Sequence, residues 1–324
     1  TNIINHLNTN SEITRLKAFY SDHFVLPLPE GHRFPMAKYK MLRDTVLEFQ
    51  NLDLVEAPSA SDSEILLAHD PSYLQAVING SLSAEQQKEI GFPWSAKMVE
   101  RSRRSAGATI AACKAALVDG IAANLAGGTH HAYRHKGSGF CVFNDAAIAA
   151  RVLLKDPMAK VKNLSKIAIL DLDVHQGDGT ASILQNDPAV KTVSIHGEKN
   201  YPFAKEASDL DIALPDGTTD PAYLQALDQA LSYLSQQKID FLIYLAGADP
   251  YYEDRLGRLQ ISQEGMAVRD RTVLEFASKA GIAVALAMAG GYANPIEKTV
   301  LIHAQTIRMA TEHQHTIASS LLKR

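Results

Sequence analysis

The sequence contains very little cysteine. Its 324 residues include two cysteines, Cys113 and Cys141, and these do not form a C-x-x-C pair. A disulfide-rich scaffold and a thiolate zinc module are excluded, because both need several paired cysteines. Sparse, unpaired cysteine is typical of a reducing compartment, so we expect a cytoplasmic protein.

The sequence also lacks an excess of positive charge and a long apolar run. Lys and Arg total 32 against 36 Asp and Glu, which gives a net charge of −4. Nucleic acid is therefore not an expected partner, because non-specific binding needs a broad basic surface. No apolar run approaches the ~20 residues of a membrane span, and the first thirty residues lack a signal-peptide core. We therefore expect no membrane partner.

Strand and helix patterns alternate from about residue 120 to the end of the chain, without a low-complexity linker. With 46% hydrophobic residues, the chain can build a large core. This order predicts one α/β domain over residues 1–324, a three-layer α/β/α fold with a mostly parallel central sheet. The predicted strands are 120–128, 167–172, 190–195, 239–246 and 282–289, and the predicted helices are 106–118, 144–154, 180–185, 221–237, 262–280 and 295–322.

The first hundred residues have weaker patterns. Residues 1–40 are rich in His, Pro and aromatics and predict a loop segment. The next patterns predict a helix over 36–49 and short strands at 53–57 and 64–68. A further helix is predicted to begin at Pro71, with Asp70 as its N-cap. Arg101, Arg103 and Arg104 precede the helix 106–118, and we interpret them as a solvated helix face.

Polar side chains follow four of the predicted strands at the point where each strand ends. Because ligands bind at the carboxyl edge of open α/β sheets, we expect these side chains to meet at one rim. The residues are His130 and His131, then Asp171, Asp173 and His175, then Asp249, and last Tyr292.

The segment from Asp171 to Gly179 favours a divalent metal site. Alternate side chains of an extended segment share a face, and carboxylate oxygen with imidazole nitrogen is a ligand set for such ions. An isolated Asp-x-Asp would more often cap a helix. Here Asp178 follows at once between two glycines, and three neighbouring carboxylates need a cation or a hydrogen-bonded imidazole to offset their repulsion.

Six motifs between residues 127 and 292 carry a resemblance to a known family. They are GGTHHA (127–132), GSGFCVFND (137–145), DLDVHQGDGT (171–180), AGADP (246–250), DRLGRLQIS (254–262) and GGY (290–292). In this order they resemble the zinc-dependent histone deacetylase superfamily, which shares its fold with arginase. Gln176 and the later DRLG are most similar to class IV members and bacterial histone-deacetylase-like amidohydrolases.

The resemblance implies a hydrolase that removes acetyl, or longer acyl, groups from lysine side chains or related amines. Its partner would be an acylated lysine peptide or a small acylated amine. One catalytic Zn²⁺, with Fe²⁺ or Co²⁺ under other loading, would bind Asp173, His175 and Asp249.

The resemblance also assigns roles to the other strand-end residues. His130 and His131 match a tandem acid/base pair, Asp171 and Asp178 match their hydrogen-bonding carboxylates, and Tyr292 matches the tyrosine that polarises the carbonyl. Gly139, Phe140 and Leu256 match the substrate tunnel. A structural K⁺ would bind near Asp171, Asp173, His175, Ser194 and Ile195.

Three alternatives remain at this point. An arginase-like ureohydrolase would need two Mn²⁺ ions and further ligands, which the single aspartate of ADPYYED and the presence of Tyr292 argue against. A binding module without catalysis is the second. The third is a small-molecule deacetylase such as an acetylpolyamine amidohydrolase; polyamine-selective family members place an acidic residue where this chain has Leu256.

Arg33 could line an inner acetate channel or form a structural salt bridge.

Overall fold

The computed structural model describes residues 14–324, so the first thirteen residues of the predicted loop segment and of the predicted domain lie outside the described residues. The described chain contains an eight-stranded sheet with the order β2-β1-β3-β8-β7-β4-β5-β6, and every pairing is parallel. The strands are β1 (Leu16–Tyr20), β2 (Leu52–Glu56), β3 (Ile121–Asn124), β4 (Ile167–Asp171), β5 (Val190–Gly197), β6 (Leu210–Leu214), β7 (Phe241–Leu245) and β8 (Ala283–Ala287).

Helices cover both faces of the sheet. They are α1 (Ala37–Val46), α2 (Asp62–Ile65), α3 (Pro71–Asn79), α4 (Ala84–Ile90), α5 (Ala96–Asp119), α6 (Asp145–Lys155), α7 (Pro157–Val161), α8 (Asp178–Leu184), α9 (Asp220–Gln236), α10 (Gln263–Ala280) and α11 (Glu297–Leu321). Among residues 14–324, no helix is long and apolar enough to cross a membrane.

The alternation of side chains along the strands creates one hydrophobic core on each face. In β4, Ile167 and Ile169 pack with side chains of α5 and α6, whereas Ala168 and Leu170 pack with those of α9, α10 and α11. Both faces are therefore buried, which explains why the central strands read as continuous apolar runs. The predicted three-layer α/β/α fold is confirmed.

Two predicted segments near the start are wrong. Residues 64–68, predicted as a strand, belong to α2 and the turn after it, where Ser61 and Glu64 form a capping box: the Ser61 hydroxyl accepts from the Glu64 amide, and the Glu64 carboxylate accepts from the Ser61 amide. The predicted loop 1–40 contains β1, and β6 was also missed. Both are short strands with exposed positions, so neither has the apolar run of a central strand.

The long helix α5 begins ten residues earlier than predicted. Ser95 caps it by accepting a hydrogen bond from the Met98 amide at 3.0 Å. Arg101, Arg103 and Arg104 therefore lie within the helix rather than before it. Arg101 is buried, so the prediction of a solvated face is wrong for this residue.

Candidate metal centre and active site

The four strands whose ends carry the predicted site residues are neighbours in the middle of the sheet, in the order β3-β8-β7-β4. Their carboxyl ends open into a cavity of about 530 Å³. Its lining includes both histidines after β3, two metal-ligand candidates after β4 and Tyr292 after β8. The predicted convergence of these side chains at one rim is present in the structure.

Asp173, His175 and Asp249 form a buried cluster whose candidate ligand atoms all lie within 4.8 Å of one another. Nδ1 of His175 is 2.9 Å from Oδ1 of Asp173 and 3.2 Å from Oδ2 of Asp249. The latter oxygen is buried and accepts no hydrogen bond within residues 14–324. A buried carboxylate oxygen without a donor, next to one imidazole and a second carboxylate, fits a divalent cation.

The charges of this cluster also fit a cation. Burial and the neighbouring Asp173 raise the pKa of Asp249 to about 7. Burial lowers the pKa of His175, but the hydrogen bond to Asp173 and the negative charges of Asp173 and Asp249 raise it more, so its pKa lies well above the ordinary value. Both pKa values are raised, so both groups tend to hold a proton, because two buried carboxylates lack the balancing positive charge that a dication would supply.

Backbone amides from neighbouring loops hold the ligand carboxylates. Oδ2 of Asp173 accepts from the Gly290 amide at 2.8 Å, and Oδ1 of Asp249 accepts from the Val174 amide at 2.8 Å. A Cβ atom at Gly290 would lie 2.3 Å from Oδ2 of Asp249, so glycine is required there. The fully buried Arg269 donates to the Gly247 carbonyl at 2.6 Å and supports the loop that carries Asp249.

His130 and His131 lie side by side, each bound to its own carboxylate. Nδ1 of His130 is 2.5 Å from Asp171, and Nδ1 of His131 is 2.6 Å from Asp178. Burial lowers the pKa of His130, but Asp171 and Asp173 more than reverse this effect and raise it to about 9.

The second histidine has the opposite shift. Burial and the adjacent charge of His130 lower the pKa of His131 to about 4. The pair therefore contains one protonated and one neutral imidazole at neutral pH. The pKa of Asp178 is lowered, because its hydrogen bond to His131 and the positive charge of His130 outweigh burial.

Tyr292 closes the cavity opposite the histidines. Its amide donates to Oδ2 of Asp254 at 2.7 Å, and its ring centroid is 6.4 Å from that of His175. Desolvation, with Asp173 and Asp249 nearby, raises the pKa of Tyr292 well above its ordinary value. The hydroxyl therefore keeps its proton and can act as a donor.

The three residues predicted to form the substrate tunnel, Gly139, Phe140 and Leu256, all line the cavity. Phe140 has a φ of 66°, and its ring stacks on Phe92 with centroids 5.3 Å apart. A Cβ atom at Gly139 would lie 2.8 Å from the His131 ring, so the close approach of this loop to the acid/base pair requires glycine.

The residues predicted for the potassium site lie on neighbouring strands. Asp171 and Ser194 are register partners of β4 and β5, and Ile195 follows on β5. The Ser194 hydroxyl is 2.9 Å from Nδ1 of His196. The potassium site itself stays a prediction.

Sequence reasoning gave no site role to Lys38 and Arg101, and it considered Asp254 only as a possible charge at the rim. Asp254 is buried and accepts from the Leu256, Gly257 and Tyr292 amides, so it joins the tunnel wall to the tyrosine loop. Lys38 and Arg101 are buried and line the cavity. Arg33, for which the sequence left a channel role and a structural salt bridge open, lines the cavity, is exposed and has no salt bridge within residues 14–324. The DRLG motif offered a signal for Asp254, whereas no pattern singled out Lys38.

The fold and this cluster define a class of parallel-sheet proteins with an Asp-His-Asp centre at the carboxyl edge. The sequence model of the histone deacetylase domain matches residues 32–307. The chain belongs to the histone deacetylase family, a family of hydrolases that act on amides.

Individual relatives support this assignment. The chain is 44% identical over 297 residues to an uncharacterized protein of Picosynechococcus, covering 90% of this chain and 97% of the relative. It is 32% identical to histone deacetylase 2 of Arabidopsis thaliana, covering 86% and 75%. A crystal structure of an HDAC homolog from Aquifex aeolicus matches with a TM-score of 0.77, 22% identity and coverage of 95% and 88%, which supports the fold.

Proposed function

We propose that residues 1–324 form a single catalytic domain that hydrolyses acyl amides of lysine side chains with one bound Zn²⁺. The observation that carries the proposal is the buried Asp173–His175–Asp249 cluster in the same cavity as a carboxylate-bound histidine pair. A binding module would have no need of two imidazoles with opposite protonation.

The three clustered residues would hold the metal. When bound, the ion would supply Lewis acidity, which polarises an amide carbonyl and lowers the pKa of water toward ~7.

The histidine pair moves the protons. Because Asp178 is ionised and accepts from Nδ1 of His131, Nε2 of that neutral ring is free to take a proton from the attacking water. His130, protonated and held by Asp171, stabilises the negative charge that develops and is the source of a proton for the leaving amine. The Tyr292 hydroxyl donates to the carbonyl oxygen as it gains charge.

Lining charges favour lysine amides over polyamines. The cavity wall at the polyamine-selecting position is the apolar Leu256, and several basic side chains line the cavity. Glu253, a residue that could have supplied an acidic contact, accepts from the Tyr251 hydroxyl at 2.7 Å instead. A second substrate cation would therefore be desolvated without a partner.

A metal-loading assay tests the proposal. Protein stripped of metal and reloaded with Zn²⁺, Fe²⁺, Co²⁺ or Mn²⁺ is offered an acetyl-lysine peptide and, in parallel, guanidino substrates of a ureohydrolase. We expect peptide hydrolysis that needs one metal ion per chain. Hydrolysis of a guanidino substrate with two Mn²⁺ ions, or peptide binding without turnover, would contradict the proposal.

A further inference from the structure

Two buried basic side chains line the cavity without a carboxylate partner. Lys38, on α1, is 3% exposed, and Arg101, on α5, is 7% exposed. Their neighbours on the same helices are paired, Lys40 with Asp44 and Arg104 with Glu100. Within residues 14–324, no carboxylate lies within 4.0 Å of the Lys38 ammonium or the Arg101 guanidinium, and Nε of Arg101 is buried without any hydrogen bond.

Uncharged groups surround both cations. Nζ of Lys38 donates to the Gly291 carbonyl at 3.0 Å and lies 5.0 Å from the Tyr292 ring centroid. Both cations contact the Tyr39 ring, whose centroid is 5.3 Å from Nζ of Lys38 and 4.6 Å from Cζ of Arg101. Cation–π contacts stabilise a buried charge only partly, and most N–H donors of the two groups have no acceptor in the described chain.

The metal centre does not supply the missing negative charge. Its two carboxylates balance one divalent ion, so the loaded centre is formally neutral. His303 packs beside Gly291 and is neutral, because burial and the Lys38 charge lower its pKa well below the ordinary value. An unpaired buried cation is strongly unfavourable, so a pair of them in a cavity wall indicates a site for an anionic ligand.

The position of Lys38 indicates which end of a substrate carries the anion. Lys38 contacts the Gly291–Tyr292 segment, which would supply the donor to the scissile carbonyl, and Arg101 contacts the same Tyr39 ring as Lys38. We therefore assign the pair to the acyl side of the amide. The lysine side enters past Phe140 and Leu256 in the proposed function. Hydrolysis of any acyl amide releases a carboxylate on this side, but in the intact substrate an anion there can only be a carboxylate at the far end of the acyl chain.

We propose that Lys38 and Arg101 bind the distal carboxylate of a short dicarboxylic acyl group, and that the enzyme hydrolyses succinyl- or glutaryl-lysine in preference to uncharged acyl chains of equal length. This rests on the proposed deacylase function. The reaction is the same hydrolysis: water adds to the amide carbon, the C–N bond breaks, and the products are the free lysine amine and a dicarboxylate.

The rest of the cavity agrees with an anionic acyl group. Arg33, Lys88 and Lys199 are exposed basic residues of its lining, and they raise the local concentration of anions at the mouth. The acidic residues of the lining are Asp173, in the metal cluster, and Glu89, which pairs with Lys136 at 2.8 Å. The volume of about 530 Å³ leaves room beyond an acetyl group.

The test compares each acyl-lysine peptide with its neutral isostere, in which a carboxamide replaces the distal carboxylate. For the zinc-loaded enzyme we expect kcat/KM to be at least about tenfold higher for the carboxylate substrate than for the carboxamide. A tenfold ratio corresponds to the free energy that one charge-assisted hydrogen bond contributes. Arg101→Gln and Lys38→Met should each bring this ratio toward one. Arg104→Gln and Lys40→Met are matched controls, because these residues lie outside the cavity and should leave the ratio unchanged.

A binding measurement separates recognition from turnover and guards against a folding defect. Calorimetry on a Tyr292→Phe background should give the same preference in Kd, again lost with Arg101→Gln in protein whose melting temperature is unchanged. A carboxylate-to-carboxamide ratio of one or less, with acetyl-lysine still hydrolysed, overturns the inference. So does Arg101-dependent inhibition by free glutarate without any substrate preference, since the subsite would then bind only released acid. If none of the acyl peptides is hydrolysed, the proposed function itself is overturned.

Discussion

Replacing Tyr292 with phenylalanine isolates the contribution of a single hydroxyl to catalysis. The ring should stay in place, because its backbone amide is fixed to Asp254 at 2.7 Å and the ring packs between Phe140 and His175, with centroids 6.5 and 6.4 Å away. No hydrogen bond joins the hydroxyl to another described residue, so its removal leaves no partner unsatisfied.

The expected loss follows from the role of the hydroxyl. A preorganised donor to a developing oxyanion is commonly worth roughly 10²–10³ in kcat, or about 2.7–4 kcal/mol. Since the pKa of Tyr292 is raised well above its ordinary value, the donor is present throughout the neutral range and wild-type activity uses it fully. We therefore expect kcat for an acetyl-lysine peptide to fall by about 10²-fold or more, with a smaller change in KM.

The assay combines steady-state kinetics with elemental analysis and thermal unfolding. Zinc content and melting temperature should match those of the wild type. Tyr252→Phe is the control, because this exposed tyrosine loses the same hydroxyl outside the cavity. Near-native turnover of Tyr292→Phe with full zinc would refute the oxyanion role.

Three further predictions follow from the site. Asp173→Ala should lose both zinc and activity, and a variant that keeps stoichiometric zinc by elemental analysis would show that the ligand assignment is wrong. Because His131 must be neutral and His130 protonated, kcat/KM should fall at low pH and again as pH rises toward about 9. Asp171→Asn removes the charge that raises the pKa of His130 and should move the alkaline limb to lower pH; an unmoved limb would exclude His130 as the acid. Acetylspermidine should give a lower kcat/KM than an acetyl-lysine peptide, and the reverse order would contradict the assigned tunnel wall.

The central strands were predictable because a strand that is buried on both faces appears in the sequence as a continuous apolar run. Each of β3, β4, β7 and β8 lies in a largely apolar run, and a glycine or a charged residue ends the strand or follows it within three residues. The sheet rule then places the ends of these strands together. The strand β6, at one edge of the sheet, has no such apolar run. It alternates partly buried and exposed positions before one buried residue, a pattern that a loop can share.

The residues of the proposed metal centre and acid/base pair could be singled out for a similar reason, because each lies in the loop that follows a central strand. Lys38 and Arg101 could not be found in this way. Both lie within amphipathic helices, where a basic residue is usually solvated, and only the packing of α1 and α5 against the cavity shows that they are buried. Burial of a helical charge depends on tertiary contacts that periodicity does not encode.

The backbone amides of Gly290 and Val174 donate to Asp173 and Asp249, so chain folding alone can position the carboxylates of the proposed metal centre. A thermodynamic consequence follows: the ion should act as a ligand of an already native protein. Its contribution to the free energy of unfolding then grows only with the logarithm of its concentration, to about 4 kcal/mol at a thousandfold excess over Kd. Chelation should leave the protein folded and able to bind the ion again. The concentrations of the available ions, rather than the folding pathway, should then decide which metal the site binds.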